Sequence, residues 1–410
     1  MTLAHGRHFL SIPGPSVMPE RVLSAMHRGA PNIYEGEIIA LTQRVLAGLR
    51  DVARTEHAAM IYIANGHGAW EAALTNTLSR GDRVLCLATG RFARGWADMA
   101  ERLGATIDVL DFGARAAVDP QAVEDALRAQ PQTRAVLVCH ADTATSVRND
   151  VPAIRAAMDA AGAEALLMSD NIASLACDAF HMDAWGVDVM VAGSQKGLMT
   201  PPGLGFVFAG PRALAARERA DMVTPYWDWT PRIAADEQYR IFCGTAPTHH
   251  LYGLATALDM LAEEGLAQVW ARHSLLARAL HAAVETWGQG GPWALNIPDP
   301  AARSTAVTTI RAGALDVAAL RQFAEAQLGV TLGIGLALGD PQAGSREAGV
   351  FRIGHMGHLN PPMLLGTLGA IETAMAALGL PYGRGALDAA AGVIAAGANE
   401  TRSASAQAAQ

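Results

Sequence analysis

Apolar and polar positions in the first half of the chain switch between two periods. Short, nearly continuous apolar runs at Ala58–Ala64, Arg83–Ala88, Thr106–Asp111, Ala135–His140, Ala165–Asp170, Val187–Ala192 and Gly205–Ala209 predict strands. Amphipathic stretches between them, among them Ala69–Leu78, Ala93–Leu103, Pro120–Ala129 and Val151–Ala161, predict helices. Strands that alternate with helices and lack a polar face belong to a sheet covered on both sides. The pattern therefore predicts an α/β fold with a mostly parallel central sheet covered by helices. Ligands of such sheets bind at the carboxyl ends of the strands, so the residues just past each run come first for inspection.

Beyond about Ala257 the pattern lengthens. A helix-like run from Leu251 to Trp287 precedes shorter strands (Ala306–Arg311, Val350–Ile353) and helices (Val317–Gln327, Pro362–Leu378), which predicts a smaller C-terminal α+β domain. The expected organisation is an N-terminal segment 1–20, a large domain 21–260, a small domain 261–385 and an Ala-rich tail 386–410. The stretch Gly383 to Gln410, rich in Ala, Ser and Gln, is expected to fray.

Composition narrows the function. Hydrophobic residues make up 51% of the 410 positions, enough for a sizeable core and incompatible with disorder. Charged residues make up 17%, below the roughly 25% usual for soluble domains, which predicts a buried oligomer interface. The net charge of −8 argues against nucleic acid or anionic lipid as partner, and against the aromatic cluster Tyr226-Trp227-Asp228-Trp229 as a base-stacking surface. No apolar run approaches the roughly 18 residues of a membrane span, and Met1–Leu10 carries no signal-like apolar core. The four cysteines form no CxxC pair, and Cys86 and Cys139 sit in strand-like runs as reduced core residues. A cytoplasmic protein is expected. His249-His250 lies near Cys243 but lacks a second ligand pair, so no metal is expected. Cys177 and Cys243 have apolar neighbours and read as packing residues rather than sulfur nucleophiles.

One count changes the picture. The 31 basic residues are 30 arginines and a single lysine, Lys196. Arginine cannot serve as an amine nucleophile, whereas lysine can. Lys196 lies just past an apolar strand, in Gly193-Ser194-Gln195-Lys196-Gly197, with Pro201-Pro202-Gly203 close behind. Burial at a strand end lowers a lysine pKa, which is what a Schiff-base lysine requires.

Three further signals are ambiguous singly. Ala64-Asn65-Gly66-His67-Gly68 joins a strand to a helix start and suits one phosphate, although a turn kept for packing reads equally well. Asp170 closes an apolar strand, either capping the next turn or holding a proton on a heterocyclic nitrogen. Arg352, in Phe351-Arg352-Ile353-Gly354-His355-Met356-Gly357, lies inside an apolar strand and needs an anion, from an internal acid or from a substrate carboxylate. A phosphate cup, a ring-nitrogen carboxylate, a Schiff-base lysine and a carboxylate clamp together are what pyridoxal 5′-phosphate (PLP) acting on an amino acid needs.

Those segments resemble the class V aminotransferases of fold type I, and most closely the alanine/serine–glyoxylate aminotransferase group, from Ile12-Pro13-Gly14-Pro15-Ser16 to about Leu380. The resemblance implies a PLP enzyme in which Lys196 forms the Schiff base and Asp170 pairs with the ring nitrogen. It implies that Asn65, Gly66, His67 and Gln195 hold the phosphate, and that Phe92 and Ile172 pack on opposite faces of the ring. Thr143 is expected at the phenolic oxygen or at the lysine, and Arg352 at the substrate α-carboxylate. Thr245, in Phe242-Cys243-Gly244-Thr245-Ala246-Pro247, is expected to reach the phosphate of the neighbouring subunit, making the active unit a homodimer with shared sites.

The implied activity is transfer of an amino group from serine, alanine or aspartate to glyoxylate or pyruvate, with pyridoxamine–pyruvate transamination as the alternative and a non-enzymatic PLP-binding protein as a remoter one. Phe242, Asp142-Thr143-Ala144-Thr145-Ser146, Tyr34-Glu35-Gly36 and the cluster at 226–229 depart from the family pattern. Phe242 stands where relatives often carry a tyrosine that touches the phosphate, so the resemblance implies that this bond is lost, whereas Tyr34-Glu35-Gly36 and the cluster at 226–229 bear on substrate identity more than on reaction type.

Overall fold

The computed structural model describes residues 2–408 apart from 236, 337 and 339–348, and side chains as far as residue 399. The strands, in chain order, are β1 (Phe9–Ser11), β2 (Ala58–Ile63), β3 (Arg83–Ala88), β4 (Thr106–Asp111), β5 (Ala135–Cys139), β6 (Leu166–Asp170), β7 (Val189–Gly193), β8 (Leu204–Ala209), β9 (Ala294–Leu295), β10 (Val307–Arg311), β11 (Val330–Ile334) and β12 (Val350–Gly354). Seven form a sheet in the order β2-β8-β7-β6-β5-β3-β4, parallel throughout except that β8 runs against both its neighbours.

Alternate residues of these strands feed two separate cores. Leu85, Leu87, Val136, Val138 and Leu167 face one layer of helices, while Val84, Leu137, Leu166 and Met168 face the other. Burial on both faces is why the strands other than the half-exposed edge strand β4 read as nearly unbroken apolar runs.

A second sheet, in the order β1-β11-β12-β10-β9, packs around Leu276, Leu280, Phe351 and Leu368. Its edge strand β1 comes from the N-terminus and pairs in parallel with β11, Phe9 opposite Val330. Neither β1 nor β11 stands out in the hydrophobic pattern. The predicted run from Leu251 to Trp287 is two helices, Thr248–Glu264 and Leu266–Gly288, separated at Gly265.

Most of the stretch expected to fray is helical, while 409–410 lie outside the described residues. Residues Ala386–Ala408 form a helix whose Ala386 and Ala390 join the core built on Leu276 and Leu280. Small residues let this helix approach closely: a Cβ added at Gly397 would meet Leu275 Cδ1 at 2.6 Å.

Candidate active site

The carboxyl ends of β2, β5, β6 and β7 surround a cavity of about 270 Å³ lined by Asn65, Gly66, His67, Trp70, Phe92, Ala141, Thr143, Asp170, Ile172, Gln195 and Lys196. Nine of the eleven predicted site residues meet there. A wider opening of about 600 Å³ shares His67, Trp70 and Phe92 with it and adds Arg91.

The segment Ala64–Gly68 owes its shape to a helix cap. Asn65 Oδ1 accepts the backbone N–H groups of His67 at 3.0 Å and Gly68 at 3.3 Å, starting the helix Gly66–Thr77. Gly66 is required by close approach, since an added Cβ would lie 2.3 Å from Ile172 Cδ1. The helix N-terminus therefore presents its positive end to the cavity beside Ile172. Burial and the charge of Arg91 lower the His67 pKa. Gln195 Oε1 is buried with no partner, so its carboxamide points an unspent hydrogen-bonding group into the pocket. Such an orphan fits a bound polar group, the amide being free to present either end.

Asp170 is buried and fully engaged by the protein. Its Oδ1 accepts the Ile172 N–H at 2.7 Å; its Oδ2 accepts Trp70 Nε1–H at 3.0 Å and lies 3.6 Å from the Cys139 thiol. Burial pushes the carboxyl up to about 6, against the pull of the Ile172 and Trp70 donors. Asp142, equally buried, accepts from Phe92 N–H at 2.9 Å and from Ala144 N–H at 2.9 Å. It thereby ties the start of the helix Arg91–Leu103, which carries Phe92, to the Thr143 loop.

Lys196 is 8% exposed. Its Nζ donates to Pro13 O, and Ser16 Oγ–H donates to Lys196 O at 2.7 Å. The N-terminal strap thus lies directly on the amine. Gly14 is needed there: its φ is +95°, and an added Cβ would sit 2.5 Å from Nζ. Burial first, and then the charge of Arg352, pushes the amine down to about 8.

Arg352 does not line the cavity but stands next to it on β12. Its Nη1–H donates to Thr143 O at 2.8 Å and its Nε–H to Ile334 O at 2.6 Å. Thr245, the other predicted residue absent from the cavity lining, is exposed on the loop after the helix Gln238–Phe242. Phe242 is buried in the main core. Cys177 is buried, whereas Cys243 is exposed, so the packing reading of Cys243 fails.

The aromatic cluster is framework. Trp227 Nε1–H donates to Glu71 Oε1 at 3.0 Å, Trp227 O accepts from Tyr62 and Asn76, and Trp229 is buried against the same helix. Sequence reasoning missed Trp70, the Pro13–Gly14 strap and Asp142. A tryptophan at helical spacing signals core, and only the tertiary fold shows that its N–H meets Asp170.

A buried amine with a lowered pKa, a buried carboxylate and a capped helix start all face one cavity of about 270 Å³, the arrangement of an enzyme site. The Aminotransferase class-V family matches residues 13–356, and the chain belongs to that family; it is a transaminase. It is 38% identical over 380 residues to the serine–glyoxylate aminotransferase of Methylorubrum extorquens, covering 90% of this chain and 91% of the relative. The serine–glyoxylate aminotransferase of Arabidopsis thaliana is 35% identical over 395 residues, covering 94% of each. The crystal structure of pyridoxamine–pyruvate aminotransferase from Mesorhizobium loti superposes with a TM-score of 0.85 at 29% identity, covering 96% of this chain and 98% of that one.

Proposed function

We propose that the protein is a PLP-dependent aminotransferase that moves an amino group from serine, alanine or aspartate to glyoxylate or pyruvate by a ping-pong mechanism. The observation that carries this reading is the convergence of Lys196, Asp170, Asn65–His67 and Gln195 on one cavity. Asn65, Gly66, His67 and Gln195 hold the phosphate, Phe92 and Ile172 bracket the ring, and Thr143 contacts the phenolic oxygen or Lys196. When bound, PLP supplies an electron sink for the pair left on the substrate α-carbon.

Lys196 moves the proton at that carbon. Its pKa of about 8 leaves part of the amine unprotonated near neutral pH. Asp170, ionised above about pH 6, holds a proton on the ring nitrogen. Arg352, braced by Thr143 O and Ile334 O, binds the α-carboxylate common to donor and acceptor. The low charge content supports a homodimer, and the exposed position of Thr245 suits a contact with the partner's phosphate cup. No helix among the described residues is long and apolar enough to cross a membrane. We place the enzyme in the cytoplasm.

A matrix of donors (serine, alanine, aspartate, pyridoxamine) against acceptors (glyoxylate, pyruvate) tests the assignment. Turnover with a small amino acid and glyoxylate is the expected outcome; turnover confined to pyridoxamine with pyruvate replaces it with the vitamer reaction. Shared sites predict that co-expressed Lys196→Ala and Thr245→Trp chains recover up to half the wild-type activity in each heterodimer. Inactive but PLP-loaded heterodimers overturn that arrangement.

A further inference from the structure

Asp170 is held by more than its own loop. Burial of a carboxylate is costly unless hydrogen bonds to its charged form compensate. The donors it receives are one backbone N–H, from Ile172, one weak thiol, from Cys139, and the indole N–H of Trp70. Trp70 is thus the strong side-chain donor to this carboxylate among the described residues.

The indole cannot easily turn away from that bond. It is 1% exposed. Its ring lies 4.5 Å from the His67 ring and 6.3 Å, edge-on, from Phe92, and stacks on Trp96 at 6.0 Å. One side chain therefore joins the cup helix, the ring-stacking phenylalanine and the buried acid. Its own helix begins at the Asn65 cap, so its position is set by the segment that would hold the phosphate.

We infer that Trp70 is a positioning residue of this aminotransferase: its indole N–H fixes the Asp170 carboxylate in place and keeps it ionised towards the cofactor's ring nitrogen. The role is built on the PLP reading above, yet its first test does not need the cofactor. The titratable groups that face Asp170 are Lys196 from the loop after β7, Asp142 from the loop after β5 and Cys139 on β5. None of these three is altered by a change at Trp70; His67, whose ring lies 4.5 Å from the indole, is the same in the wild-type and the Asp170→Asn background, so comparing the two backgrounds isolates Asp170.

The experiment compares cofactor-free wild type, Trp70→Phe, Asp170→Asn and the double variant by thermal unfolding at about pH 5 and about pH 8. Phenylalanine keeps most of the ring and removes the N–H. Loss of that donor should move the Asp170 titration upward by roughly one unit, a tenfold change in the ionisation constant. Trp70→Phe should therefore lower Tm more at about pH 8 than at about pH 5, and this pH dependence should vanish in the Asp170→Asn background. An equal loss at both pH values, or a pH dependence that persists in the double variant, overturns the proposal and leaves Trp70 a packing residue.

If Trp70→Phe does not fold, Trp70→Gln, which keeps a side-chain N–H donor and does not titrate, must retain the wild-type pH profile; a profile displaced to higher pH is equally fatal. In the loaded protein, equilibrium dialysis should show PLP held roughly tenfold more weakly by Trp70→Phe. Should PLP fail to bind wild type, the cofactor reading falls while the unfolding comparison still decides Trp70.

Discussion

The cavity-lining edge of the seven-stranded sheet and the seam beside the five-stranded sheet both bury ionisable groups, with opposite consequences. The edge buries acids: Asp142 and Asp170 are both pushed up by burial, Asp170 to about 6. The seam buries histidines: burial lowers His273 and His355 to about 4 and His281 to about 3. His140, behind the acidic edge, shares the histidine response at about 4. Acids raised by burial make the fold less stable as pH rises, and histidines lowered by burial make it less stable as pH falls. The edge pays for chemistry by holding a charge where water is scarce, whereas the seam gains structure from neutral rings.

Lys196 lies where the two regions meet, its pKa lowered by burial and then by Arg352, and raised in part by Asp170. Its removal should have the largest effect. Lys196→Ala should cost roughly 10³-fold or more in kcat while leaving the fold intact, because a general base alone supplies about 10²–10⁴. Borohydride reduction followed by peptide mapping checks the same residue. The chain has no other lysine, so a side-chain adduct anywhere but Lys196 breaks the assignment.

Asp170→Asn probes the acidic edge in two ways. Losing the partner of the ring nitrogen should lower kcat and kcat/KM together, by about 10²-fold. Stability should move in the other direction. In wild type the folded pKa of about 6 exceeds the free value of 3.8, so stability is fully present below about pH 4 and is lost as pH rises to about 6. Asn has no such decline, and a melting series between about pH 4 and pH 8 should show the variant catching up with wild type. Parallel curves would contradict the acidic reading of this edge.

How far these regions were legible in the sequence follows the same division. Strands β2 to β8, apart from the half-exposed edge strand β4, were readable because burial on both faces leaves no polar alternation to confuse the period, and the residues after them supplied most of the site. The five-stranded sheet was legible only in β10 and β12. Strand β1 has three residues, too few for a period to show, and β11 begins immediately after Gly329, so its apolar positions run on from those of the helix Val317–Leu328. Lys196, Asp170 and Asn65–His67 announced themselves by residue type at strand ends. Trp70 and the Pro13 carbonyl did not, because an indole N–H and a main-chain oxygen acquire meaning only from what the fold sets against them.

Arg352→Ala tests the substrate side. It removes a grip on a group that does not react, so KM for donor and acceptor should both rise by about 10–100-fold, with a smaller change in kcat. It also strips a donor from Thr143 O and Ile334 O, so some loss of stability should accompany it. Arg352→Lys, with a point charge in place of a fork, should recover only part of the binding. A change in one half-reaction alone would show that the carboxylate site is not shared.

The smallest effect belongs to the seam. The tautomer of His273 is fixed by its neighbours: Nδ1–H donates to Val269 O at 2.8 Å, and Nε2 accepts the Gly357 N–H at 3.0 Å. A second proton on Nε2 would have to displace that N–H, in a loop where Gly357 already sits against Lys196 O. The ring is fully buried, and the charge of Arg272 adds to the burial that holds its pKa near 4. The sign follows: the contribution is fully present above about pH 6.5 and is lost as pH falls towards about 4, because the unfolded chain takes the proton and the folded one resists it. At about pH 5 this amounts to about 2 kcal/mol for one group. His273→Gln keeps a side chain able to donate and accept but cannot titrate. It should be less stable than wild type at about pH 8 and should close that gap as pH falls to about 5, by a few degrees of Tm. A gap that stays constant across the range would mean that His273 remains neutral in the unfolded chain as well, or takes its proton in place, and the contrast between an acidic edge and a basic seam would then rest on His355 and His281 alone.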